Sequence, residues 1–206
     1  MRARSHNVGS VRAAALVVAA LCVFASPGCR GGAPGPTRAP PPPGDVSAKL
    51  DREVFALCSP SGPERCFDAV DDNCNGLIDE GCGLQTGLVQ FVIAWDGPKA
   101  DVDLAVIDPD GQLAEPGRPT PLGLVKDRDC PGAEDACHGQ NVENVFLAAD
   151  AELPRGSYRV VVRLEALGGE EPPVTVHLGA RVGPKTYAAR FDLGAVEEER
   201  SFDVDL

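Results

Sequence analysis

Three observations predict a mainly β protein: an antiparallel two-sheet β-sandwich, preceded by a small cysteine-rich module and a disordered proline-rich tether. From Gly87 to the C-terminus, apolar and polar residues alternate with period two in seven or so short stretches broken by Gly and Pro. Ahead of them, Cys58, Cys66, Cys74 and Cys82 recur at intervals of eight. Ahead of those stands the run Pro40 to Pro43. Extended helix-period patterns are missing.

Residues 1–28 read as a targeting segment. Arg2, Arg4 and Arg12 form its basic part, and Ala13 to Ala25 an apolar stretch too short to span a bilayer. Ser26-Pro-Gly-Cys29 then predicts lipidation of Cys29, the rival reading being ordinary cleavage after Ala25. Residues 29–44 hold Pro34, Pro36 and the proline run, and proline favours extended polyproline II, a semi-stiff spacer. Residues 45–83 are expected to pair a short helix with the cysteine-rich module. Val46, Leu50, Val54 and Leu57 lie on one side of that helix, over Asp45 to Leu57. Residues 84–206 form the sandwich, long enough for one core.

Without the three arginines of the targeting segment, the formal charge falls from −12 to about −15. Such a surface repels nucleic acid and anionic lipid and favours cations, so a nucleic-acid role is excluded. Beyond Cys29 six cysteines remain: Cys58, Cys66, Cys74, Cys82, Cys130 and Cys137. An even number in an exported chain predicts disulfides, and four evenly spaced cysteines leave three connectivities open. Structural zinc sites use closely spaced cysteine pairs, which this spacing does not supply.

The module carries Cys66-Phe-Asp-Ala-Val-Asp71-Asp72-Asn73-Cys74-Asn75-Gly76-Leu-Ile-Asp79-Glu80-Gly-Cys82. Asp71, Asn73 and Asn75 alternate, Gly76 supplies a sharp turn, and Ile78 offers a β-branched anchor. Calcium takes about six to eight hard oxygen ligands, and alternating oxygen-bearing side chains around a glycine turn deliver them. The expected ligands are Asp71, Asn73, Asn75, the Leu77 carbonyl, Asp79 and Glu80. An EF-hand would place a bidentate Glu where Cys82 stands, so Asp79, Glu80 or water completes the shell. Affinity should then be weak, nearer ~10⁻⁴ to 10⁻³ M.

Over about residues 58–82 the segment resembles a metal-binding motif of secreted and surface proteins of Gram-negative bacteria. Its usual form is Cys-x-Asp-Gly-x-Asp-Asn-Asp-Cys-Asp-Gly-x-x-Asp-Glu-x-Cys. It is also similar to the calcium loops of thrombospondin type 3 repeats. Asp71, Asn73, Asn75 and Asp79 fall on ligand positions, with Asn at two of them lowering the charge. The resemblance implies metal-supported structure and no particular activity. By similarity to Gram-negative lipoproteins, Arg30 after Cys29 suggests the outer membrane or cell surface, with a periplasmic or secreted protein as the alternative.

The first strand is expected over Gly87 to Trp95, with Val89, Phe91, Ile93 and Trp95 on one face. Asp96-Gly97-Pro98 turns the chain, and Asp101 to Ile107 should return as its partner. Tyr158 to Leu164, Val174 to Ala180, Tyr187 to Leu193 and Phe202 to Leu206 each alternate in turn. The order Asp101-Val-Asp103-Leu, Asp108-Pro-Asp110-Gly111, Asp127-Arg-Asp129, Val142-Glu-Asn144 and Pro154-Arg-Gly156-Ser-Tyr158 resembles a bacterial extracellular β-sandwich family. It is similar in outline to domains appended to secreted peptidases. The departures are Gly139-Gln-Asn-Val-Glu143, which lacks the family's Gly-Pro, and the added Cys130 and Cys137. Asp101 and Asp103 share a strand face, and Asp127, Asp129 and Glu143 are candidates to close around them as a second calcium site. A Cys130–Cys137 bridge would staple that acidic loop.

Enzyme chemistry finds little footing. His138 lies beside Cys137, and His177 falls on the polar face of its strand, where exposure is expected. The chain has no G-x-S-x-G elbow, phosphate-binding glycine loop or dinucleotide fingerprint. Trp95 shares its face with Phe91 and Ile93 and reads as core rather than a sugar platform. The expectation is a non-enzymatic, calcium-stabilised surface lipoprotein, anchored to the membrane by lipid, acting in protein or glycan binding, adhesion or structure. The alternative is an envelope accessory or inhibitor subunit docking on a partner enzyme.

Overall fold

A computed structural model describes residues 55–130, 137, 139–148 and 150–206. The targeting segment, Cys29, the proline tether, His138 and residues 45–54 of the expected helix lie outside them. Among the described residues every regular element is a strand: β1 (Ala56–Leu57), β2 (Gly87–Trp95), β3 (Asp101–Ile107), β4 (Leu124–Arg128), β5 (Val142–Ala148), β6 (Ser157–Ala166), β7 (Val174–Val182), β8 (Lys185–Leu193) and β9 (Glu199–Asp205). Ala56 and Leu57, expected in a helix, instead pair with Ala188 and Tyr187 of β8. Two antiparallel sheets result, one in the order β1-β8-β7-β2-β5-β4, the other β3-β6-β9.

The alternation read from sequence places the core. Tyr158, Val160, Val162 and Leu164 of β6 are buried, as are Val174, Val176, Leu178 and Ala180 of β7, while Arg159 and Glu165 are exposed. The apolar faces meet in a sandwich-like arrangement. The Phe91 and Tyr158 rings, one from each sheet, stand 6.4 Å apart, and Phe202 of β9 lies against Phe191 of β8 and Phe55. Trp95 is buried as expected, its indole N–H donating to the Ala100 carbonyl at 2.9 Å.

One expected pairing does not form. Asp96-Gly97-Pro98 turns the chain, but β3 does not return beside β2. Both edges of β2 are taken, by β5 and β7, and β3 pairs with β6 in the other sheet. Period two reveals which side chains share a face, not which strand lies alongside.

β2 is also buried on both faces, which the Val89, Phe91, Ile93 and Trp95 pattern did not anticipate. Gln90, Val92 and Ala94 point away from the three-stranded sheet, and the cysteine-rich module covers that side. Its Ala69 and Ile78 are buried over Gly179 of β7. A Cβ on Gly179 would lie 2.3 Å from the Ala69 carbonyl oxygen, so only glycine permits this approach. Ile78 is therefore the anchor its β-branched character predicted, and burying it contributes roughly 1.5–3 kcal/mol.

Candidate metal centres

Two disulfides, Cys58–Cys74 and Cys66–Cys82, each span 16 residues and interlace around the loop. In the chain-entropy view each bridge stabilises by roughly 3 kcal/mol. A third, Cys130–Cys137, closes the acidic loop after β4.

Asp71 and Asp79 shape the loop from inside. Asp71 accepts the N–H groups of Asn75 at 3.0 Å and Gly76 at 2.9 Å, and the Thr186 hydroxyl of β8 at 2.7 Å. Gly76 holds a φ of +88°, the left-handed turn for which glycine suits. Asp79, fully buried, gathers N–H groups from Phe67 at 2.7 Å, Asp68 at 3.3 Å and Ala69 at 3.2 Å. Burial pushes its carboxyl up to about 6 against the pull of those donors. Asp72, outside the expected ligand set, is clamped by Arg65 and Ser61, and Arg65's hydrogen bond holds its carboxyl below the usual range.

Three other expected ligands converge. Asn73 and Asn75 both donate their amide nitrogens to Glu80 Oε1. Glu64, which the spacing did not flag because it precedes the repeating pattern, joins them. It accepts Asn73 Nδ2 at 3.2 Å, with Asp72 N–H at 3.1 Å and Asp79 N–H at 2.9 Å. Burial, then the Glu80 charge, pushes Glu64 up to about 7. Glu80 Oε2 is buried without a hydrogen-bond partner. To offer calcium oxygen on this side, both carboxamides would have to turn, giving up the Asn75 and Leu77 N–H groups that their oxygens accept at 2.9 Å. Leu77 donates its N–H to Asn75 Oδ1 at 2.9 Å.

Of the five residues of the second candidate set, three meet. Asp103, Asp129 and Glu143 bring carboxylate oxygens within 4.8 Å of one another. Lys126 reaches among them, with Nζ 2.9 Å from Glu143 Oε2 and paired to Asp129. Burial pushes Glu143 up to about 8 against the pull of Lys126. Burial also works against the Lys126 ammonium, but Glu143 and Asp129 outweigh it and hold its pKa above the usual lysine value. Asp101 lies beside Asp103, and burial followed by that neighbour raises its carboxyl. Asp127 is held elsewhere. A register shift between Lys126 and Arg128 separates it from Asp129, and it accepts Asn144 Nδ2 at 2.6 Å and Gln85 N–H at 3.1 Å. Asn144 and Gln90, both fully buried, complete a polar brace that fixes the segment leading from the module into β2.

His177 is not exposed as expected. The module half-covers it, with Nδ1 3.3 Å from the Asp68 carbonyl oxygen.

These features define a disulfide-laced acidic module seated on a sandwich-like pair of antiparallel sheets. No protein-family model, curated protein or solved structure matches the chain.

Proposed function

We propose that this chain is a non-enzymatic, calcium-stabilised β-sandwich protein of the bacterial envelope, lipid-anchored through Cys29 at the outer membrane or cell surface. The sandwich would serve protein or glycan binding, adhesion or structure through the loops at its ends. The observation that carries the reading is the oxygen-rich side of the disulfide-laced loop, where Glu64, Asn73, Asn75 and Glu80 crowd together and Glu80 Oε2 has no donor. Glu64, Asn73, Asn75 and Glu80 would hold the ion, with Asp71 and Asp79 shaping the loop from behind. Calcium supplies the positive charge that relieves the crowded carboxylates. Carried on three disulfides, the design suits an oxidising, calcium-rich compartment.

Thermal melting of the oxidised protein with calcium and with chelator tests this. At ~100-fold excess over the dissociation constant, calcium should add about 2.7 kcal/mol, a rise of about 5–10 °C for a domain of this size. An identical melting temperature in both conditions sinks the proposal.

A further inference from the structure

Asp103 on β3, Asp129 just after β4 and Glu143 on β5 come from both sheets, yet their carboxylate oxygens lie within 4.8 Å of one another. Oxygens on opposite sides of one calcium ion stand up to ~5 Å apart, twice a usual Ca–O distance. The fold, not a local run of charge, creates this convergence. The register shift between Lys126 and Arg128 and the neighbouring Cys130–Cys137 bridge fix the backbone that carries Asp129.

Two observations point to a missing partner. The Glu143 side chain is only 1 % exposed, and its Oε1 is buried with no hydrogen-bond donor. Its Oε2 is already taken, by the Leu104 N–H at 2.6 Å and by Lys126. A buried carboxylate oxygen left unpaired is costly, so proteins rarely leave one without a partner. Asp103, half-buried, also lacks an ion-pair partner among the described residues. Lys126 sends its contacts to Asp129 and Glu143, not to Asp103.

We infer that Asp103, Asp129 and Glu143 form a second divalent-cation site, bridging the two sheets beside Lys126 and independent of the disulfide-laced loop. An ion there would give Glu143 Oε1 its partner and tie the edge strand β3 to β5. Lys126 competes for the same oxygens and so sets the affinity low.

Calorimetric titration of calcium into the oxidised protein carrying Asn73→Ala and Glu80→Gln isolates this site from the loop. One calcium should still bind. Adding Asp103→Asn, a half-buried position where the amide keeps the shape, should weaken that binding about tenfold or more; adding Lys126→Met should tighten it by a similar factor. Absence of calcium binding in the loop-disabled protein, or binding indifferent to Asp103→Asn, overturns the inference and leaves a closed ion-pair network centred on Lys126. The two sites fail separately. A protein with only the loop site loses all binding in the Asn73→Ala/Glu80→Gln background, and one with only this site binds there as wild type does. Circular dichroism of each variant confirms that the fold is retained.

Discussion

Gly179 shows how much of this architecture turns on single atoms. It faces the module, and a methyl group there would collide with the Ala69 backbone. Backbone cannot yield as a flexible side chain does. Gly179→Ala should therefore cost about 1–3 kcal/mol and expose residues 58–82 to proteolysis, read by melting and by mapping the first cleavage sites. Tyr158 makes the opposite kind of contribution, a buried hydroxyl donating to the Pro154 carbonyl at 3.0 Å. Burial, with Asp108 nearby, raises its pKa from 10 to about 12. The folded state thus holds this proton more tightly than the unfolded chain. The associated stability is complete below pH 10 and is lost as pH rises through about 12. Compared with wild type, Tyr158→Phe should lack that alkaline loss. Absorbance at about 295 nm should also lose a late tyrosinate component; an unchanged titration would contradict the assignment.

Among elements, the module illustrates how a segment with few apolar residues holds a fixed shape. Ala69 and Ile78 are its buried apolar contacts with the sheet, and four of its residues other than glycine (Phe67, Ala69, Cys74 and Asp79) adopt positive φ. Such conformations persist only where surroundings enforce them. Here the interlaced bridges and the N–H groups gathered by Asp79 do so. Replacing Cys66 and Cys82 together by serine should lower stability by roughly 3 kcal/mol and weaken calcium binding at the loop, measured by denaturant melts and calorimetry. Equal stability of variant and parent would mean that the bridge merely decorates an already rigid turn. β3 supplies a second example. As an edge strand it presents unpaired backbone groups, and Glu143 reaches across from the other sheet to accept the Leu104 N–H.

At the level of the whole molecule, module and sheets are bound by contacts far apart in sequence. Asp71 bonds Thr186, Cys58 N–H donates to the Thr186 carbonyl, and Asp127 with Asn144 grips Gln85. Neither part exposes an independent boundary. The oxidised chain from residue 55 onward should unfold in one calorimetric transition, with van't Hoff and calorimetric enthalpies equal. Two resolved transitions would show that the module melts alone.

The pattern of residues determined much of this. Period two located β2, β3, β6, β7, β8 and β9, because alternation is a local consequence of the pleat. Cysteine number and spacing announced the bridged module, and Ile78 its anchor. Pairing was beyond reach. Which strands neighbour β2, which cysteines join, and why Glu64 belongs with Asn73 and Glu80 depend on chain segments meeting across space. Periodicity carries no information about that. Asp127 and Asp129 make the point most sharply: both were candidates for the same acidic site, but a register shift sends them to different partners.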